Sequence, residues 1–297
     1  MEYRQLGRTG FRVSAISYGG IVSAGTYDGV TYPQLGQDAS DRFVHYALEH
    51  GVNYFDVAPT YGNAEEQLGN SLRGCRDQVY LACKTGKRDR ARAEAELRES
   101  LRKLHTTYLD SYQLHEIKSM EDVEQAFAPG GVMELMREIR EQGLVRFIGF
   151  TAHQEDAALC MLERFDFDTV LFPFNWFMHS AHGMGSRLIR EARARNMGVL
   201  GMKAFVERRW ENREERETSA FPKSWCKPID LDDTAFGLAA MRYALSLGVD
   251  TLIPPGNFGS FSFAVEHVDE AIRCPYSDGD RILLEGKLAT VQGKEFF

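Results

Sequence analysis

Cysteine, basic charge and long apolar runs are all scarce in this sequence, and each scarcity closes off a class of protein. Five cysteines, at positions 75, 83, 160, 226 and 274, are scattered through 297 residues without a Cys-x-x-Cys pair. Reduced thiols in a cytoplasmic protein explain that spacing better than a disulfide framework or a zinc site. No uncharged apolar stretch approaches the ~20 residues of a membrane helix. The opening MEYRQLGRTG has no basic segment leading into an apolar one, so no secretion leader is expected. Lys and Arg total 35 against 43 Asp and Glu, a formal charge of −8, which disfavours non-specific nucleic-acid binding. The Gly-x-Gly-x-x-Gly fingerprint of a Rossmann domain does not occur. No Pro/Gly-rich linker or shift in composition divides the chain, so one domain over residues 1–297 is expected.

What is present is alternation. With 43% hydrophobic and 26% charged residues the chain can bury a sizeable core. Short apolar and β-branched runs at 14–19, 53–58, 78–84, 109–115, 145–152, 169–175, 198–204 and 250–254 read as strands. Between them lie segments with helical periodicity, at 41–50, 93–104, 131–142, 154–164, 186–195, 232–247 and 263–272. Strand and helix in alternation imply parallel β-α-β units, and eight such units close a (β/α)8 TIM barrel. Residues 3–13 read as an N-terminal β-hairpin, turning on Arg8-Thr9-Gly10, that is placed to plug the barrel floor. Residues 206–231 are a long loop after strand 7, carrying Trp210, Phe221, Pro222 and Trp225 after a charged stretch. Its position past a strand end makes it a lid over the barrel mouth, although 207–217 by itself reads as a solvated helix.

In such a barrel, polar residues at the C-terminal ends of strands point into one mouth. Asp56 stands near the end of strand 2, with Tyr61 in the loop behind it; Lys84 ends strand 3 and His115 ends strand 4. A charge that terminates an apolar strand is costly unless partners converge on it. Taken singly, these are a helix cap, a loop anchor, a solvated lysine and a buried histidine. At matching depth on successive strands they read as a catalytic group. A phenol of pKa ~10 can protonate a developing alkoxide, and a neighbouring ammonium is expected to draw its pKa down. Asp56 holds and charges that ammonium, and His115 orients the carbonyl. By strand alternation Cys83 faces packing rather than chemistry. His179 and His182, with no carboxylate at ligand spacing, are loop residues rather than a metal site.

Asp-x4-Tyr-Gly after a second strand, Lys closing the third and His closing the fourth resemble the tetrad of the aldo-keto reductase family. Ser100-Leu101-Arg102-Lys103-Leu104, Tyr108–Tyr112, the opening Leu6-Gly7-Arg8-Thr9-Gly10 and Gly19-Gly20 are similar to the same family. The resemblance implies a small-molecule carbonyl substrate and NADP or NAD bound without a Rossmann domain. It also implies cofactor contacts from Gly19, Gly20, Asp56 and Thr151, the last standing where serine is usual as a carboxamide partner. Ala152 replaces the usual asparagine, with His153 beside it. Met202 stands where an aromatic often stacks, and Lys203 is in reach of pyrophosphate. In the turn Pro254–Ser260, Gly256, Asn257 and Ser260 read as phosphate or ribose contacts, or as a bare turn with a capping serine. No basic residue follows until Arg273, so weak discrimination against NAD, or a preference for it, is expected. Specificity is expected from Tyr27, Trp176 and the long insertion.

The first functional reading is therefore an NAD(P)-dependent oxidoreductase for aldehydes, ketones or sugars, with Tyr61 as the acid/base. Two others compete. One is a dinucleotide-binding regulatory or partner-binding subunit with little turnover, favoured by the altered nicotinamide positions. The other is a lyase using Lys84 as a Schiff-base amine, which the adjacent Asp56 opposes.

Overall fold

The structure is a computed structural model describing residues 1–224, 226–291, 293 and 294. Eight parallel strands follow one another around a single sheet: β1 (Tyr18–Gly19), β2 (Tyr54–Asp56), β3 (Tyr80–Thr85), β4 (Leu109–Ile117), β5 (Val145–Ala152), β6 (Thr169–Phe172), β7 (Gly198–Met202) and β8 (Thr251–Ile253). Each pairs with the next in parallel register. A parallel bridge between Ile16 and Leu252, with the Ser17 N–H donating to the Leu252 carbonyl at 2.9 Å, joins first strand to last and closes the barrel. Strand alternation divides the walls cleanly. Phe55, Cys83, Tyr112, Phe150, Val170, Val199 and Leu252 face the surrounding helices. Tyr54, Ala82, Leu171, Leu200 and Ile253 face inward.

The hairpin forms as expected, Tyr3–Gln5 pairing antiparallel with Arg12–Ser14 around one tight turn, Gly7–Thr9. Its Leu6, Phe11 and Val13 pack on the inward residues just named and stopper the floor. Gly7 has φ +49, and a Cβ there would sit 2.2 Å from the Gly198 nitrogen, so glycine alone fits.

The N-terminal rim carries a device repeated at every even-numbered strand. Asn53, Asp110, Asp168 and Asp250 each sit at the start of β2, β4, β6 or β8. Each accepts a backbone N–H from the chain before it: Ser14 at 2.8 Å, Leu81 at 2.9 Å, Ile148 at 2.9 Å and Val199 at 2.8 Å. The three aspartates also pair with arginines, Asp110 with Arg76 at 2.8 Å, Asp168 with Arg8 at 3.4 Å and Asp250 with Arg193 at 2.7 Å. Charge and hydrogen bonds are thus satisfied on the spot.

Element bounds depart from the sequence reading where local chemistry intervenes. Strand β6 ends at Phe172 rather than at 175, because Pro173 has no N–H to give the ladder. Asn175 then caps a helix, Trp176–His182, by accepting the Met178 N–H at 2.9 Å. The last barrel helix runs Phe258–Arg273, five residues earlier than its apolar periodicity at 263–272 signals. Helices Ala64–Ser71, Met120–Phe127 and Asp278–Val291 lie outside the expected set. Among the described residues no helix is long and apolar enough to cross a membrane.

Candidate active site

Lys84 is fully buried on β3, and its ammonium donates to the Asp56 carboxylate and, at 3.1 Å, to the Val57 carbonyl. Asp56 is 2% exposed. Burial pushes its pKa up, against the pull of Lys84. The Lys84 Nζ stands 5.3 Å from the centroid of the half-buried Tyr61 ring. The His115 ring meets Tyr61 edge-on at 5.7 Å between centroids, with Nδ1 3.4 Å from the Thr60 hydroxyl. Burial, and secondarily the Lys84 charge, hold His115 well below the usual histidine range, so its ring is neutral. Two strands, β3 and β4, therefore deliver a lysine and a histidine to the one loop that follows β2.

The Tyr61 phenol departs from expectation. Its pKa is pushed well above that of a free tyrosine, first by burial and then by the charges of Asp56 and Glu116. The Lys84 ammonium does not offset them. The Asp56 carboxylate is bonded directly to the ammonium and cancels much of its field at the phenol. At neutral pH the group is a protonated phenol, an acid in waiting rather than a base.

These side chains line a cavity of about 390 Å³. Its walls also hold Gly19, Thr151, Met202, Lys203 and Gly256, together with Tyr27, Leu171 and His153. Burial drives His153 down to about 3 and Lys203 to about 7. The insertion forms part of the cavity wall. Its Val206–Arg208 pairs with Lys227–Pro228, and Lys223, Ser224 and Cys226 face the cavity. Lys223 is 5% exposed, and its ammonium donates to the carbonyls of Ile21, Val22 and Ala24 at 2.8, 3.0 and 3.2 Å. A second fastening, Arg216 to Asp28 at 3.6 Å, lies nearby. Trp225, the last aromatic of the insertion, lies outside the described residues.

A sequence profile described as the Aldo/keto reductase family matches residues 15–252. The chain belongs to the aldo/keto reductase family. It is 31% identical over 194 residues to the aldo-keto reductase YhdN of Bacillus subtilis, covering 60% of this chain and 55% of that one. It is 27% identical over 242 residues to the D-arabinose 1-dehydrogenase of Saccharomyces cerevisiae, covering 69% and 68%. An L-galactose dehydrogenase of Arabidopsis thaliana matches at 28% over 177 residues, covering 55% and 52%. The chain thus spans about half the length of several of the curated relatives it matches. Among solved structures, the holo form of the aldo-keto reductase AKR11C1 from Bacillus halodurans superposes with TM-score 0.71 at 18% identity, covering 100% of this chain and 98% of that one. The glycerol dehydrogenase AKR11B4 from Gluconobacter oxydans gives 0.67 at 18%, covering 99% and 97%. These two likenesses speak to the fold. Aldo-keto reductases are oxidoreductases that act on small carbonyl compounds and generally use NAD(P)H.

Of the residues singled out from sequence in this family member, Asp56, Tyr61, Lys84, His115, Gly19, Thr151, Met202, Lys203 and Gly256 share the cavity wall. Gly20 does not line it; a Cβ there would press on Val57 at 2.8 Å, so this glycine serves packing beneath the mouth. Ser260 is not the helix cap. Asn257 is, its Oδ1 accepting the Ser260 N–H at 2.7 Å, and both lie just behind Gly256. Trp176 is fully buried with its Nε1 donating to the Val206 carbonyl at 2.8 Å, a support for the insertion and not a cavity wall. Sequence reasoning passed over Glu116, Lys118 and Lys223, all of which line the cavity. Of these, only Glu116 and Lys118 follow His115 closely enough for a sequence signal. No cluster of His, Cys, Asp or Glu among the described residues could hold a metal ion.

Proposed function

We propose that this chain is an NAD(P)-dependent oxidoreductase interconverting aldehydes, ketones or sugars with their alcohols by hydride transfer, with Tyr61 as acid/base. The observation that carries this reading is the meeting of Asp56, Tyr61, Lys84 and His115 on one cavity wall, although they come from separate stretches of sequence. The remaining walls carry groups that a dinucleotide would use. Beside Gly256, at the N-terminus of the long helix Phe258–Arg273, the Asn257 Nδ2 and Ser260 Oγ are buried with no hydrogen-bond partner among the described residues. The first N–H groups of that helix lie outside its own hydrogen-bond ladder, which suits an anion. Lys203, Thr151, Met202 and Gly19 are the cavity residues that would hold the rest.

When bound, the reduced nicotinamide supplies the hydride. The chain's own residues do the remainder. Neutral His115, its Nδ1 turned to the Thr60 hydroxyl, offers the Nε2–H to the carbonyl oxygen and fixes the carbonyl beside the phenol. As the carbonyl is reduced, Tyr61 gives its proton to the oxygen, and the phenolate left behind faces the part of the Lys84 charge that Asp56 does not cancel, with Nζ 5.3 Å from the ring centroid. Asp56 keeps that ammonium in place.

A second cavity, about 810 Å³, lies between the insertion and Gly259, Ser262, Phe263 and Glu266 of the same helix. It is walled by Glu207, Glu215, Asp230, Asp232 and Glu266 against one lysine, Lys227, itself 3.4 Å from Glu207. Arg208 is committed to Glu215 at 3.1 Å. We place the adenosine ribose at this acidic cavity, next to the start of the helix Phe258–Arg273; a 2′-phosphate there meets repulsion and a ribose diol meets acceptors, so NAD is the expected partner. Fluorescence titration with NADH and NADPH, followed by a carbonyl panel with the tighter binder, tests the reading. NADH is expected to bind at least tenfold tighter and to support turnover. Tight binding with no turnover on any carbonyl would sink the enzymatic assignment.

A further inference from the structure

We propose that Glu116 and Lys118, with Tyr27 beside them, form a subsite for hydroxyl groups flanking the reacting carbonyl, so that the substrate is a polyhydroxylated aldehyde, ketone or lactol. This rests on the reductase reading above and names its substrate class.

The backbone at Glu116 is bent to bring this carboxylate to the mouth. Strict alternation would turn the residue after His115 away from the barrel interior. Instead β4 slips register between Leu114, opposite Phe150, and Ile117, opposite Ala152, so three steps on β4 face two on β5. Such a bulge re-aims side chains. Glu116 takes φ +56, a left-handed conformation that a residue with a Cβ adopts only when its surroundings hold it there. Here they do. Arg88 donates to the carbonyls of both His115, at 2.8 Å, and Glu116, at 3.2 Å, while the Thr151 hydroxyl accepts the Glu116 N–H at 2.7 Å. Arg88 is in turn fixed by Asp122 at 3.2 Å. The result is that His115 and Glu116, neighbours in sequence, both line the cavity.

The chemistry presented is charged and wet. Glu116 Oε2 lies 2.7 Å from Lys118 Nζ, with the two side chains 44% and 58% exposed. A pair so exposed adds little to stability and does not by itself justify a strained backbone. Both residues line the cavity with Tyr61 and Tyr27, and the Glu116 charge is felt by both phenols. An alkyl substituent on the substrate would strip water from the carboxylate and ammonium and return nothing. A pair of adjacent hydroxyls returns two O–H donors to the carboxylate and lone pairs to the ammonium. A 2-oxo acid would set its own carboxylate against Glu116.

The test compares D-threose with butanal, which share chain length and carbonyl but differ in hydroxyls, using enzyme saturated with whichever dinucleotide binds. Wild type is expected to favour D-threose in kcat/KM by at least tenfold, Glu116→Gln to cut that ratio at least tenfold, and Lys118→Met to cut it several-fold through KM. Equal losses on both substrates would make the pair a support for His115 and overturn the subsite. Because the claim concerns binding, D-threitol and butan-1-ol are also titrated into the complex with oxidised dinucleotide. Wild type should bind D-threitol more tightly than Glu116→Gln does, with no such difference for butan-1-ol. That titration stands even if neither aldehyde turns over, an outcome that would count against the reductase reading and leave the subsite to be judged on the polyol alone. Undiminished D-threitol affinity in Glu116→Gln would refute it.

Discussion

The two rims of the barrel spend the same residue types on opposite ends. At the N-terminal rim, Asp110, Asp168 and Asp250 are buried, and each is answered at once by a backbone N–H and an arginine. At the C-terminal rim, Asp56, Lys84, His115, His153 and Lys203 are as deeply buried, yet their side chains line a cavity. Among them Asp56 and Lys84 answer each other directly. The lower set fastens one strand to the next around the ring. The upper set is held ready around a space. Buried charge alone therefore says little about function; what decides is whether the charge is closed off by protein or left facing a space.

That contrast can be broken by substitution. The largest effect is expected at the upper rim, where Tyr61→Phe should lower kcat roughly a thousandfold, the range of a lost general acid. The thermal midpoint and dinucleotide affinity should hardly move. The lower rim should behave in reverse. Asp250→Ala leaves the Val199 N–H buried without an acceptor and Arg193 without its partner, a cost of about 2–3 kcal/mol. Denaturant unfolding should register that loss while kcat/KM of the folded fraction stays near wild type. If Asp250→Ala cost activity and not stability, the division between rims would be wrong.

The smallest effect concerns protons. Lys203 holds its proton only up to about pH 7 in the folded chain, against about 10.4 unfolded. Between those values the unfolded state carries a proton that the folded state has shed, so folding stability rises with pH across this window. Lys203→Met should flatten that rise in thermal midpoints taken from pH 7 to pH 9. If Lys203 meets the pyrophosphate, dinucleotide binding near pH 8 should also take up a fraction of a proton, visible as a buffer-dependent heat in calorimetry and absent from Lys203→Met.

The barrel was legible because its signal is redundant: eight apolar runs separated by helical stretches keep their meaning even when single bounds are off. The tetrad was legible for a related reason, since Asp56, Lys84 and His115 stand at matching depth near the C-terminal ends of successive strands. Glu116 and Lys118 were not. They directly follow the fourth strand's histidine, where a charged pair looks like ordinary loop, and only the bulge turns them inward. The helix beginning at Phe258 was missed at its start because Asn257-Phe258-Gly259-Ser260 has the composition of a turn, and the Asn257 cap shows itself only through geometry. Lys223 lies 199 residues from Ala24, the nearest in sequence of the carbonyls it binds, a contact that no local pattern encodes.

Lys223 has one consequence for how the insertion is held. A single ammonium shared among the carbonyls of Ile21, Val22 and Ala24 ties the insertion to the turn after β1 through one side chain. Three bonds that hang on one nitrogen are made or lost together, so their strength is that of a single anchorage rather than of three independent ones.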